Sequence, residues 1–311
     1  MAANVETMFF VGRQKPWHGL GTCIENAPDS REALILAGLD WDVIQRPVFT
    51  QDGTRISGYR ANIRMQDNTV LGVVTNRYKV VQNREAFSFT DKLLGEGVRY
   101  ETAGSLLGGK KTWILAKMPS KYIINGEDIT PYMVFSNTHD GSGAIKIAMT
   151  PIRVVCNNTL NLALNTAKRI WSFNHTGNIQ DKLEEARKTM FRAEDYMSEL
   201  GKEFEKLNKI KVSDAALDEY IEMLLPISDD ASITTEQNII KLREDIRKRY
   251  KFAPDLRNIG KNGYRFINAV SDFATHAKPL RETANYRENL FNKTMEGNPI
   301  TDKAMKILLT A

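Results

Sequence analysis

Apolar and polar positions change their period partway along the chain, and that change divides the sequence in two. Over Trp41–Thr50, Thr54–Met65 and Thr69–Thr75, β-branched and aromatic residues are concentrated, and Gln51-Asp52-Gly53 and Gln66-Asp67-Asn68 interrupt them with turn chemistry. That pattern predicts an antiparallel meander. An irregular N-terminal segment and a short capped helix from Asp29 to Gly38 precede it. After it, Ala86, Phe87, Phe89, Leu93 and Leu94 recur at helical spacing and stop at Gly95-Glu96-Gly97, which predicts a helix over Glu85–Leu94 packed on the meander. A second hairpin, Val98–Ala103 with Thr112–Met118, flanks a glycine-rich tip from Gly104 to Lys111. Further strands are expected at Tyr122–Ile124, Pro131–Ser136 and Ala144–Met149, and a helix at Asn158–Thr166.

The period then lengthens. From Leu183 the apolar positions Leu183, Ala186, Met190, Ala193, Met197, Leu200, Phe204, Leu207 and Ile210 step by threes and fours, a heptad seam that predicts one long amphipathic helix. Helices follow at Ala215–Leu225, Glu236–Tyr250, Arg265–His276, Tyr286–Met295 and Asp302–Leu309. The expected class is α+β: a mixed β/α module over residues 1–177 and a helical module over 178–311.

Composition adds a functional asymmetry. The chain has 311 residues, 42% of them apolar, enough to fill a core. Its net charge of +5 is modest, but it is unevenly placed. Met1–His175 holds 20 Lys and Arg against 15 Asp and Glu, whereas Thr176–Ala311 holds 23 against 23. The excess therefore lies in the β-rich part, and an anionic partner such as nucleic acid is permitted there. Cys23 and Cys156 are too few and too far apart for a disulfide framework or a paired-cysteine zinc site. No basic leader with an apolar core opens the chain, and no apolar run reaches the ~18 residues of a membrane span. A cytoplasmic protein without a membrane partner is expected.

Candidate chemistry is sparse. The tip at Gly104–Lys111 lacks phosphate-loop spacing and leads into a strand, so a nucleotide-binding loop is rejected. It reads either as a solvated hairpin tip or as a finger whose Lys110 and Lys111 neutralise phosphates. His18, His139, His175 and His276 have no ligand spacing, and no metal or cofactor is expected. His139-Asp140-Gly141-Ser142 has the types needed for a base and its orienter, and it is also ordinary turn chemistry. Cys156 sits where a strand is expected to pass into a helix, as a nucleophile or as a small buried side chain beside capping Asn157, Asn158 and Thr159. Arg153 beside that helix start suggests an anion site. No complete catalytic signature emerges, and a non-enzymatic protein is expected, with a hydrolase acting through His139 and Asp140 or through Cys156 as the third reading.

Aromatic and basic residues interleave on the strands: Arg55, Tyr59, Arg60, Arg64, Arg77, Tyr78 and Lys79, then Arg99, Tyr100, Lys110, Lys111 and Trp113. Single strands are held by such pairings, cations on phosphates and rings on bases. The candidate nucleic-acid set is Arg60, Arg64, Lys79, Tyr100, Lys110, Lys111, Trp113, Arg153 and Asn157. A second basic run, Lys241–Lys261, reads either as a solvated helix face or as another such surface.

Several blocks carry a family resemblance: Pro16-Trp17-His18-Gly19-Leu20-Gly21, Tyr78-Lys79-Val80-Val81-Gln82-Asn83-Arg84-Glu85-Ala86-Phe87, Tyr100–Leu106, Asn137–Ser142, Arg153–Leu160 and Asn268–His276. Together they resemble the phage/plasmid-related family long filed under a domain of unknown function, which implies a bacterial host cytoplasm and transfers no catalytic residue. The order of hairpins, helix, strands and helix is also remotely similar to phage single-strand annealing proteins. The expectation is an oligomeric single-stranded DNA-binding protein of phage or plasmid DNA metabolism. The alternative is an interaction protein that sequesters a host factor through the heptad helix.

Overall fold

The computed structural model describes residues 5–11, 22–95, 98–118, 122–124, 126–153, 158–159, 170–190, 193–277 and 298–310. The fold is α+β. Packing resolves it into two compact units that interleave along the chain, one of Met1–Ser120, Tyr132–Met149 and Arg169–Ala193, the other of Lys121–Pro131, Thr150–Lys168 and Glu194–Ala311. Composition changes near residue 178, but packing does not follow it. Ile179, Leu183 and Ala186 are buried in the core of the first unit.

The strands of the first unit are β1 (Val5–Val11), β2 (Thr22–Ile24), β3 (Val43–Phe49), β4 (Arg55–Arg64), β5 (Val70–Thr75), β6 (Arg99–Leu106) and β7 (Lys111–Lys117). After β8 (Tyr122–Ile124) come β9 (Glu127–Thr138), β10 (Ile145–Arg153), β11 (Asn158–Thr159) and β12 (Ile170–Phe173). Within the first unit the large sheet runs β2-β1-β6-β7-β9-β10, with β12 pairing β10. β3, β4 and β5 form a separate antiparallel sheet. Helices α1 (Ser30–Leu36), α2 (Asn83–Leu94) and α3 (Ile179–Met190) belong to this unit. Asp29 and Glu32 cap α1 reciprocally, and the Glu85 carboxylate accepts the Gln82 N–H at the start of α2. Phe9, Leu39, Leu71, Phe87, Tyr100, Phe135, Ile145 and Trp171 fill the core between them.

In the second unit, α4 (Ala193–Lys209), α5 (Asp214–Leu224), α6 (Ile233–Phe252), α7 (Gly263–His276) and α8 (Pro299–Thr310) follow one another. α7 is its axis, buried at Tyr264, Phe266, Ile267, Ala269, Val270 and Phe273. Phe204 and Tyr220 meet Tyr264 and Phe266 edge-on, and the Tyr264 hydroxyl donates to Glu127 at 2.6 Å.

Three expectations change. Val5–Val11 is a strand rather than irregular chain, because β6 gives its backbone a partner and Phe9 fills the core; three consecutive apolar residues, Met8-Phe9-Phe10, hide the alternation. Asn158 and Thr159 pair with Arg153 and Ile152 as a strand instead of opening a helix, and residues 160–166 lie outside the described residues. Two helices are described where one long one was expected, with Phe191 and Arg192 outside the described residues. The heptad seam serves two cores: Leu183 and Ala186 in one, Met197, Leu200, Phe204 and Leu207 in the other. The helix expected at Tyr286–Met295 and the Pro16–Gly21 block also lie outside the described residues.

Candidate nucleic-acid interface

A buried polar network decides which face of the small sheet looks outward. Asn62 on β4 donates to the His139 carbonyl at 2.6 Å and accepts from Gln45 on β3 at 3.0 Å. The Tyr78 hydroxyl donates to the Thr138 carbonyl, Asn137 to the Val81 carbonyl, and the His139 N–H to the Lys110 carbonyl. Gln82 makes two 2.9 Å bonds with the Val43 backbone. Side-chain amides thus satisfy backbone groups where the sheets meet, as buried polar groups require. Gln45, Asn62 and Gly72 face inward, so Ile44, Arg46, Ala61, Ile63 and Val73 face outward.

His139 is part of this network and not of a catalytic dyad. Asn83 gives its amide N–H to the Leu39 carbonyl, so its oxygen accepts from His139 Nε2 at 3.1 Å, which places the ring proton on Nε2. Asp140 instead accepts from the Ser142 N–H and hydroxyl within its own turn. Burial, reinforced by His175, holds the His139 pKa down to about 3 against the opposing pull of Asp140. Below its ordinary pKa near 6.5 the unfolded chain takes up a proton that the folded chain refuses. Stability is therefore complete above about pH 6.5 and is expected to fall by up to about 1.4 kcal/mol per pH unit toward pH 3. Urea midpoints from pH 7 to pH 4 check this, and His139→Gln should flatten the slope.

The outward face forms three cross-strand rows. Ile44, Ile63 and Val70 make the first, in which Ile63 is itself buried, Arg46, Ala61 and Val73 the second, and Tyr59 with Thr75 the third. Val70 and Val73 are each 54% exposed and Tyr59 is 48% exposed. β3, β4 and β5 carry no acidic residue. The turn carboxylates are engaged locally, Asp52 by Thr50 and Thr54 and Asp67 by Arg64. Arg46, Arg55, Arg60 and Arg77 make no side-chain hydrogen bond or ion pair among the described residues.

The residues selected from sequence separate sharply. Arg60 is half-buried and shares the strand face of Asn62 and Arg64, opposite that of Arg46, and Lys79 and Lys110 are exposed. Arg64 is unavailable: it donates to Glu6 at 2.7 Å and to Asp67 at 2.6 Å and lies 5.5 Å from the Trp41 ring. Tyr100 is fully buried with its hydroxyl on Asp91, and Trp113 is buried, so neither ring offers a face to a base. The glycine-rich tip is no free finger. Gly109, at φ +86, is buried, and a Cβ there would lie 3.0 Å from Arg64 and 3.4 Å from Trp41. Lys111 is half-buried beside it. Arg153 is on β10, and Asn157 and Cys156 lie outside the described residues. Arg46, which aromatic pairing on the sequence did not select, belongs with the exposed cations.

A family model described as Domain of unknown function (DUF932) matches residues 70–295. The chain belongs to that family. No curated protein and no solved structure matches it. The DUF932 span includes the Tyr78–Asn83 and Asn137–Ser142 segments of the polar network, whereas Arg46, Arg55, Tyr59 and Arg60 precede it.

Within the DUF932 span, several cations of the Lys241–Lys261 run are already engaged. Arg243 pairs with Glu222, Arg247 with Asp218 and Glu244, Arg249 with Asp245 and Asp272, and Lys261 with Asp214. Among the described residues of this DUF932 chain, no group of three His, Cys, Asp or Glu side chains could hold a metal, and no helix is long and apolar enough to cross a membrane.

Proposed function

We propose that the chain binds single-stranded DNA on its β-rich unit, acting as an oligomer in phage or plasmid DNA metabolism, with strand annealing as the associated process. The observation that carries this reading is the contrast between cations. Arg46, Arg55, Arg60 and Arg77 on and beside an acid-free sheet are uncommitted among the described residues, whereas arginines of the helical run are held by carboxylates. Uncommitted guanidinium groups exchange condensed counterions for phosphates, and exposed rings beside them stack on bases without regard to sequence. The phage or plasmid setting rests on the sequence resemblance alone. A host factor docked on the heptad seam has less support, because Met197, Leu200, Phe204 and Leu207 are buried within the chain itself.

Photocrosslinking tests this reading. Nuclease-treated protein irradiated with a 4-thiothymidine oligonucleotide should carry its adducts on peptides covering residues 46–60 and 73–79. Adducts confined to residues 194–277 would contradict it.

A further inference from the structure

We infer that one unpaired DNA strand lies across the outer face of the β3-β4-β5 sheet, with Arg46 holding phosphate and Tyr59 stacking on a base. This rests on the nucleic-acid reading above and adds where the strand sits and what kind of strand it is. The face exposes Val70, Val73 and Tyr59 beside half-buried Ile44 and Ala61, with Ile63 buried, and soluble proteins rarely leave such side chains together at the surface without a use.

Its centre narrows the occupant. Arg46 stands opposite Ala61 in the middle row, exposed and without a carboxylate among the described residues. An apolar protein surface laid over the face would bury an unpaired guanidinium, which is strongly unfavourable. A second copy of the same face would bring another arginine and no acid. The occupant must therefore present flat apolar area and negative charge together, as a run of nucleotides does. In a duplex the base faces are hidden in the stack, leaving Val70, Val73 and Tyr59 nothing to cover, so an unpaired strand is required. The middle and first rows are hydrocarbon apart from Arg46, which suits a thymine methyl.

Fluorescence anisotropy on the full chain, with labelled oligo-dT, an abasic strand of equal length, oligo-rU and duplex, tests the inference. Tyr59→Ala and Val73→Asp, both at exposed positions and checked for folding by circular dichroism, should each weaken oligo-dT binding about tenfold. Tyr59→Ala should leave the abasic strand unaffected. Arg46→Ala should weaken both strands and reduce the salt slope by about 0.7. If the wild type binds oligo-dT and all three variants match it, this placement is overturned while the wider reading stands. Duplex bound as tightly as oligo-dT, or oligo-rU bound more tightly, also overturns it. Wild-type protein that binds none of the strands overturns both.

Discussion

Alanine at Arg46, Arg55, Arg60 and Arg77 together is expected to weaken single-stranded DNA binding by about 500-fold at ~0.1 M salt, with little change in stability. Each phosphate contact on a single strand contributes about 0.7 to the salt slope, so the loss grows as salt falls and four contacts act together. The fold should tolerate the change because none of the four side chains has an ion-pair or hydrogen-bond partner among the described residues. Arg64 supplies the contrast within the same strand. Hydrogen bonds that Arg64 donates to Asp67, then to Glu6, raise its pKa despite partial burial, so Arg64→Ala should destabilise the fold while leaving DNA affinity within about twofold. Anisotropy and urea denaturation on the two variants separate the binding role from the structural one.

Gly72→Ala is expected to be among the most damaging single changes, lowering stability by about 3 kcal/mol. Gly72 stands opposite Asn62 on the inward face of the small sheet, and a Cβ there would lie 2.5 Å from Asp140 Cα and 2.8 Å from the Asp140 carbonyl oxygen. Both are backbone atoms, so no side chain can rotate away. The loop that must move carries the His139 carbonyl bonded to Asn62, and the polar network would loosen with it. Gly58→Ala is the control. Gly58 has a φ of +83 with nothing within 4 Å of its added carbon, so only the backbone preference is lost, about 1 kcal/mol. A shift in the urea midpoint with an unchanged slope reports stability in both cases.

The small sheet was legible in the sequence because its turns carry their own chemistry. Asn68 at φ +59 and Gly53 at φ +85 occupy the left-handed positions that those residue types favour. Which side of each strand faced out was not legible. Tyr59 and Tyr100 are both strand tyrosines beside an arginine, and only the packing of α2 against β6 buries the second. Arg60 and Arg64 share one strand face, yet Arg64 meets Glu6 from a strand whose apolar run concealed its alternation. Arg46 had a readable signal, its place between Ile44 and Val48 on the outward parity of β3, but no aromatic residue adjoins it. Division of the heptad seam between two cores was hidden too, since the seam constrains one helix face and not which neighbours cover it.

The most direct test of the central claim is a salt titration of oligo-dT binding with nuclease-treated protein. A plot of log affinity against log salt should be linear between ~50 and ~300 mM, with a slope near −3 that falls toward zero in the four-arginine variant. No binding at ~50 mM salt, or an affinity that does not change with salt, would contradict the account.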